Sequence, residues 1–266
     1  MFKKKSLGQH FLQSPAYLRA IVDAAEVTTG DTILEVGPGE GALTRELLSR
    51  GARVFAIEKD HRLIPILTAT FDREVYGKQL TLIEADALEF EVPLCSDFPP
   101  GKEYKVVANI PYYITGALLR KFLSSETQPT TLVFLTQKEV AERIARSKKE
   151  SLLSLSVKAY GTPQYIKTVP RGAFAPPPTV DSAILRVEHI SRKNFKNKEM
   201  EDRFFTLIHA GFAQKRKLLA RNLESVLGKN APLYMQEASI PSKARAEDVS
   251  LKEWLCLSRV SITQSV

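Results

Sequence analysis

Asn109-Ile110-Pro111-Tyr112 sets an amide, a proline-fixed backbone carbonyl and an aromatic ring side by side, just after the apolar run Lys105–Ala108. The Asn109 side-chain oxygen and the Ile110 carbonyl can each accept one hydrogen of a planar exocyclic amine. Pro111 fixes its own φ and biases Ile110 to an extended conformation, which presents that carbonyl. Tyr112 can stack on the ring that carries the amine. The chemistry such a set suits is methyl transfer to an adenine amino group. That nitrogen is a weak nucleophile because its lone pair is delocalised into the ring, and engaging both hydrogens favours a more tetrahedral nitrogen. A base in structured nucleic acid must leave its stack to be reached, and an aromatic face offsets part of that cost. Phe174, in the proline-stiffened loop 170–178, is a candidate for the opposite face of the same base. The plainer alternatives are a turn residue before proline for Asn109 and core filling for Tyr112, Tyr113 and Phe174.

A methyl donor needs its own site. Glu35-Val36-Gly37-Pro38-Gly39-Glu40-Gly41 follows an apolar run and precedes a helical pattern. Gly37 and Gly39 let the backbone turn tightly and approach a ligand. The spacing is neither the dinucleotide fingerprint nor a phosphate loop, which would close on Lys and Ser or Thr. Glu58 ends the next apolar run, where a carboxylate can accept both hydroxyls of a ribose. Asp86, in Glu84-Ala85-Asp86-Ala87-Leu88, can take the exocyclic amine of an adenine. These groups in this order fit S-adenosylmethionine better than a nicotinamide dinucleotide. The competing readings are a tight strand-to-helix connection for the glycines, a solvated charge for Glu58, and a helix N-cap for Asp86.

The elements that must hold these groups alternate along residues 31–160. Strands are predicted at Thr32–Val36, Arg53–Ile57, Leu80–Ile83, Lys105–Ala108 and Thr130–Leu135. Helices are predicted at Ala42–Arg50, at Asp60–Thr70 with a kink at Pro65, and at Thr115–Leu123. This alternation implies a parallel sheet covered on both faces, with ligands at the carboxyl ends of its strands. Two further strands are expected at Gln164–Val169 and Asp181–Val187. A polar, basic linker spans Ile190–Asn197. Helices follow at Met200–Phe212, Arg216–Leu227 and Leu251–Leu257. The domains expected are therefore 1–190, carrying the chemistry, and 191–266, helical; the charge balance and the resemblance given below imply that the second binds RNA.

Composition narrows the class. Of 266 residues, 26% are charged and 44% apolar, which suits a soluble globular chain. The uncharged stretch Val106–Leu119 is too short to cross a bilayer and contains Pro111. Met1-Phe2-Lys3-Lys4-Lys5 is not followed by an apolar segment, so no secretory signal is read and a cytoplasmic location is expected. Cys95 and Cys256, far apart, are read as free thiols, and no metal site is expected. Net charge is +8, and residues 191–266 hold 14 Lys/Arg against 8 Asp/Glu while residues 1–190 hold 24 against 22. That asymmetry points to a polyanionic partner, nucleic acid first.

With Gly8-Gln9-His10-Phe11-Leu12, the glycine turn, Ala85–Leu88, Asn109–Thr115 and the Phe174–Ser182 loop in this order, the chain resembles the KsgA-type ribosomal RNA adenine dimethylases from about Lys4 to Leu223. The resemblance implies a class I, Rossmann-like methyltransferase fold with a small α-helical C-terminal domain. It implies S-adenosylmethionine as donor and transfer of four methyl groups to two adjacent adenosines in the hairpin near the 3′ end of 16S rRNA. The partner would be the small ribosomal subunit precursor, with no membrane involved and a monomeric enzyme. Cofactor contacts carry over onto His10, Leu12, Gly37, Glu58, Asp86 and Asn109. Two departures stand out: His10 where the family usually has Asn, and Thr179 where it usually has a basic residue. A neutral imidazole can still donate or accept a hydrogen bond. Phe212–Lys217 resembles the family's basic C-terminal helix, so Lys215, Arg216 and Lys217, with Arg221, are expected to grip phosphates from a helix, and Lys3–Lys5 to lie near the substrate. Rival readings are methylation of large-subunit rRNA, methylation of DNA adenine, and a non-catalytic RNA-binding assembly factor.

Overall fold

The computed structural model describes residues 10–91 and 103–263. Lys3–Lys5, Gly8, Gln9 and Cys95 lie outside the described residues. The elements are β1 (Phe11–Leu12), α1 (Pro15–Ala24), β2 (Thr32–Val36), α2 (Ala42–Ser49), β3 (Arg53–Glu58), α3 (Ile64–Thr70), α4 (Asp72–Tyr76), β4 (Leu80–Glu84), β5 (Lys105–Asn109), α5 (Thr115–Ser124), β6 (Thr131–Gln137), α6 (Lys138–Ala145), α7 (Leu152–Lys158), β7 (Thr162–Val169), β8 (Phe174–Ala175), β9 (Ser182–Glu188), α8 (Lys198–Gly211), α9 (Leu219–Leu227), α10 (Ala231–Glu237) and α11 (Leu251–Thr263).

Seven strands form one sheet in the order β4-β3-β2-β5-β6-β9-β7. All neighbours are parallel except the pairs β9 makes with β6 and β7. The β2 strand is buried at every residue, as a strand covered on both faces must be. The order runs outward from β2 through β3 to β4 on one side and through β5 to β6 on the other. Between β2 and β5 the winding reverses, and a crevice opens beyond the carboxyl ends of the strands. A second, two-stranded sheet pairs Phe11 with Ala175 and Leu12 with Phe174. It ties the start of the described chain to the proline loop.

The chain divides into two compact units. One comprises 1–141 and 162–190; the other comprises 142–161 and 191–266. The segment 142–161, assigned by sequence to the larger domain, packs within the smaller unit. Asn194 donates to the Ala159 carbonyl at 2.8 Å. Lys149 pairs with Glu247 and Asp248. Tyr160 donates to the buried Glu201 carboxylate and joins the rings of Phe195 and Phe205. Contiguity in sequence concealed this, because the aromatic partners of Tyr160 lie some 35–45 residues on.

Local boundaries follow the end chemistry of each helix. Pro65 sits in the first turn of α3, where its missing N–H costs nothing. It starts this helix instead of kinking one begun at Asp60. Asn197 caps α8 by accepting from the Met200 N–H at 3.0 Å. Helix α9 begins at Leu219 instead of Arg216, after an extended Leu218. Lys215, Arg216 and Lys217 therefore stand exposed on the turn between α8 and α9, and of the four expected RNA contacts Arg221 alone is helical.

Candidate active site

Four successive strand ends form a row along the carboxyl edge of the sheet. Asp86 follows β4, Glu58 ends β3, Gly37 follows β2 and Asn109 ends β5. One cavity of about 480 Å³ is lined by all four, and by His10, Leu12, Gly39, Ile110, Pro111, Tyr112 and Phe174. Every residue expected to hold a donor or an acceptor base in the larger unit reaches this single space.

The glycine turn is shaped by its neighbours. Gly37 and Gly39 have φ of +70° and +59°, the region glycine enters without penalty. A Cβ at Gly39 would come within 2.8 Å of the Phe11 ring. The Gly39 N–H points at Glu58, whose Oε2 accepts it at 3.2 Å, while Oε1 accepts the Asp60 N–H at 2.8 Å. Glu58 is 6% exposed. Burial raises its carboxyl above the ordinary range, and the two N–H donors oppose that. Each oxygen keeps acceptor capacity for a hydroxyl.

Asp86 is engaged on both oxygens. Oδ1 accepts the Leu88 N–H at 2.9 Å and Oδ2 accepts Lys59 Nζ at 2.6 Å. The bond from Lys59, followed by that from Leu88, lowers its pKa. Asp86 thus shapes the turn at residues 87–89, where no helix follows for it to cap, and also lines the cavity. Lys59 was not singled out from sequence. Its type carries no motif, and only the adjacency of β3 and β4 brings it to Asp86.

Glu35, next to the glycine turn, is fully buried. Its Oε2 accepts the Thr44 hydroxyl at 2.7 Å and its Oε1 has no hydrogen-bond partner among the described residues. Burial pushes the carboxyl up to about 8, with the Glu58 charge adding and the Thr44 bond opposing. It holds a proton at neutral pH.

At the other end of the cavity, Pro111 has φ −55° and ψ 134°, and Tyr112–Ile114 form one 3₁₀ turn. The Asn109 side chain is half-buried, and neither it nor the Ile110 carbonyl has a hydrogen-bond partner among the described residues. Both acceptors are therefore open to a ligand. The Tyr112 hydroxyl lies 2.6 Å from Ser182 Oγ. Its ring stacks on His10, with centroids 6.3 Å apart and planes at 21°. His10 Nδ1 lies 2.9 Å from the Pro176 carbonyl. Ser182 was missed because it touches Tyr112 only through the antiparallel return of β9. Phe174 reaches the cavity but is 5% exposed, and it packs in the core with Leu12 and Leu18. Its ring is wall in this structure, which is the core-filling alternative.

The donor set fits S-adenosylmethionine. A cradle of left-handed glycines adjoins a buried carboxylate with free acceptor capacity and a second carboxylate one strand farther out. The open acceptors of Asn109 and Ile110 face the same space.

Comparison with known proteins agrees. The family described as ribosomal RNA adenine dimethylase matches residues 1–262. The ribosomal RNA small subunit methyltransferase A of Dehalococcoides mccartyi (strain CBDB1) is 44% identical over 262 residues, spanning 96% of this chain and 87% of that protein. A dimethyladenosine transferase from Plasmodium falciparum matches with a TM-score of 0.81 at 26% identity, covering 97% of this chain and 99% of that one. The 23S rRNA methyltransferase ErmE matches at 0.73 and 26%, covering 96% and 100%. Sheet order, shared cavity and family match converge: the chain belongs to the ribosomal RNA adenine dimethylase family and is an S-adenosylmethionine-dependent rRNA adenine dimethyltransferase.

Proposed function

We propose that the protein dimethylates N6 of two adjacent adenosines in the 3′-terminal hairpin of 16S rRNA during assembly of the small ribosomal subunit. The observation that carries this reading is the single cavity joining the glycine turn and Glu58 to Asn109–Tyr112. The 44% identical relative is named for the small subunit, whereas the large-subunit enzyme ErmE is 26% identical. That difference favours the 16S substrate.

The roles follow from position. Glu58 accepts the ribose hydroxyls. Asp86 takes the adenine amine of the donor at the outer end of the row. Gly37 and Gly39 let the backbone approach, and His10 and Leu12 close the wall. Bound there, the donor supplies a methyl group activated by its sulfonium. The remaining task is to position and desolvate the acceptor amine. Asn109 Oδ1 and the Ile110 carbonyl each hold one N6 hydrogen, and Tyr112 carries the base on its face. Phe174 backs the pocket. Lys215, Arg216, Lys217 and Arg221 grip RNA phosphates. The enzyme works as a monomer in the cytoplasm; no helix among the described residues is long and apolar enough to cross a membrane.

Incubation with a labelled methyl donor and small ribosomal particles lacking the modification, followed by mapping of the label, tests this. Label in the two adjacent 3′-terminal adenosines is expected. Label in large-subunit rRNA, or none, overturns the reading.

A further inference from the structure

Tyr113 is the one strongly exposed large apolar side chain among the described residues that also lines the cavity. It is 74% exposed. It follows Tyr112 in the same 3₁₀ turn, so the two Cα atoms are about 3.8 Å apart. The two rings have opposite environments. Tyr112 is half-buried and fixed by Ser182 and His10, while Tyr113 has no hydrogen bond or ring contact among the described residues. Core filling, the plain alternative for this residue, does not describe it. Lys59, 70% exposed and ion-paired with Asp86, lines the same cavity.

Taking a base out of a stack strips its neighbour as well. The nucleotide beside the flipped one loses a stacking partner, and a second aromatic face can replace it. From this we infer that Tyr113 forms a second nucleotide subsite, stacking on the base adjacent to the one in the cavity. The ligand class is an unstacked purine still joined to the target by one phosphodiester. In a substrate with two adjacent target adenosines, that neighbour is itself the other target. Tyr113 then holds one adenosine while its neighbour is methylated. This rests on the proposed adenine-methylating reading of the same cavity.

The test uses unmethylated small ribosomal particles with 2-aminopurine ligated into the 3′-terminal hairpin beside one target adenosine. The unsubstituted enzyme and Tyr113→Phe should quench the probe on binding. Tyr113→Ala should leave it bright and raise KM for the particle by about tenfold, with the cofactor dissociation constant unchanged. Equal quenching and equal KM in Tyr113→Ala and the unsubstituted enzyme overturn the subsite and leave the adenine reading standing. Failure of the unsubstituted enzyme to methylate the remaining adenosine overturns both.

Discussion

The Tyr112 hydroxyl and Ser182 Oγ lie 2.6 Å apart, joining the turn after β5 to the first residue of β9. Ser182 is fully buried, so this bond fixes the tilt of the ring from inside the sheet. His10 covers one face of that ring. Ser182→Ala should lower kcat about threefold to tenfold, the range of one hydrogen bond, without changing cofactor affinity. Tyr112→Phe removes the same bond from the other side, and the double variant should be no slower than the slower single one. Steady-state kinetics of the three variants checks this; additive losses would show that the two hydroxyls act separately.

Asn109→Ala should cut methyl transfer by about a hundredfold or more, because the amine loses one of its two positioning acceptors. Cofactor and RNA binding should stay close to normal. Single-turnover methylation beside equilibrium binding separates the two, and an equal loss of RNA affinity would make Asn109 structural.

Cofactor binding should depend on pH through Glu58. Burial raises its pKa, and only the ionised carboxylate accepts two hydroxyls with both oxygens. Affinity should rise with pH through the Glu58 titration and then level off. Glu58→Gln should flatten the profile and weaken binding about tenfold or more. Calorimetric titration with S-adenosylhomocysteine across that range measures both, and an unaltered dissociation constant would remove Glu58 from the ribose.

Glu35 should make the cofactor-free protein less stable at alkaline pH. Its folded pKa is raised from 4.5 to about 8. Its contribution is therefore complete below the unfolded value and is lost as pH climbs towards about 8, with a slope of at most about 1.4 kcal/mol per pH unit. Glu35→Gln stays neutral and can still accept from Thr44. Urea midpoints should fall for the unsubstituted protein between pH 5.5 and 8.5, and fall less for the variant.

Changing Lys215, Arg216 and Lys217 together to Ala should weaken RNA binding and reduce its salt slope by about 2, if all three neutralise phosphates. All three are exposed on one turn, so the fold should survive. Filter binding over a salt series reads the slope, and an unchanged slope would place the RNA elsewhere.

Much of the catalytic unit was legible in one dimension. Strand runs such as Thr32–Val36 and Lys105–Ala108 declare themselves because a strand buried on both faces is mostly apolar. Glycines that must take positive φ mark the turn after β2, and an acid or amide at each strand end marks the row. What a run of letters cannot carry is contact between distant segments. Leu12 meets Phe174 through a two-residue strand pair too short to leave a periodicity. Lys59 finds Asp86 only because β3 and β4 adjoin.

The start of α9 at Leu219 was hidden because Lys and Arg suit a helix as well as a turn. Residues 142–161 join the smaller unit because Tyr160 finds its aromatic partners there. Phe174 and Tyr113 were alike as letters, yet packing sank the first to 5% exposure and left the second at 74%. Local chemistry settled which strands form and which groups stand at their ends. Burial, pairing and the protonation of Glu35 depend on which surfaces exclude water together, and those surfaces exist only once the chain has folded.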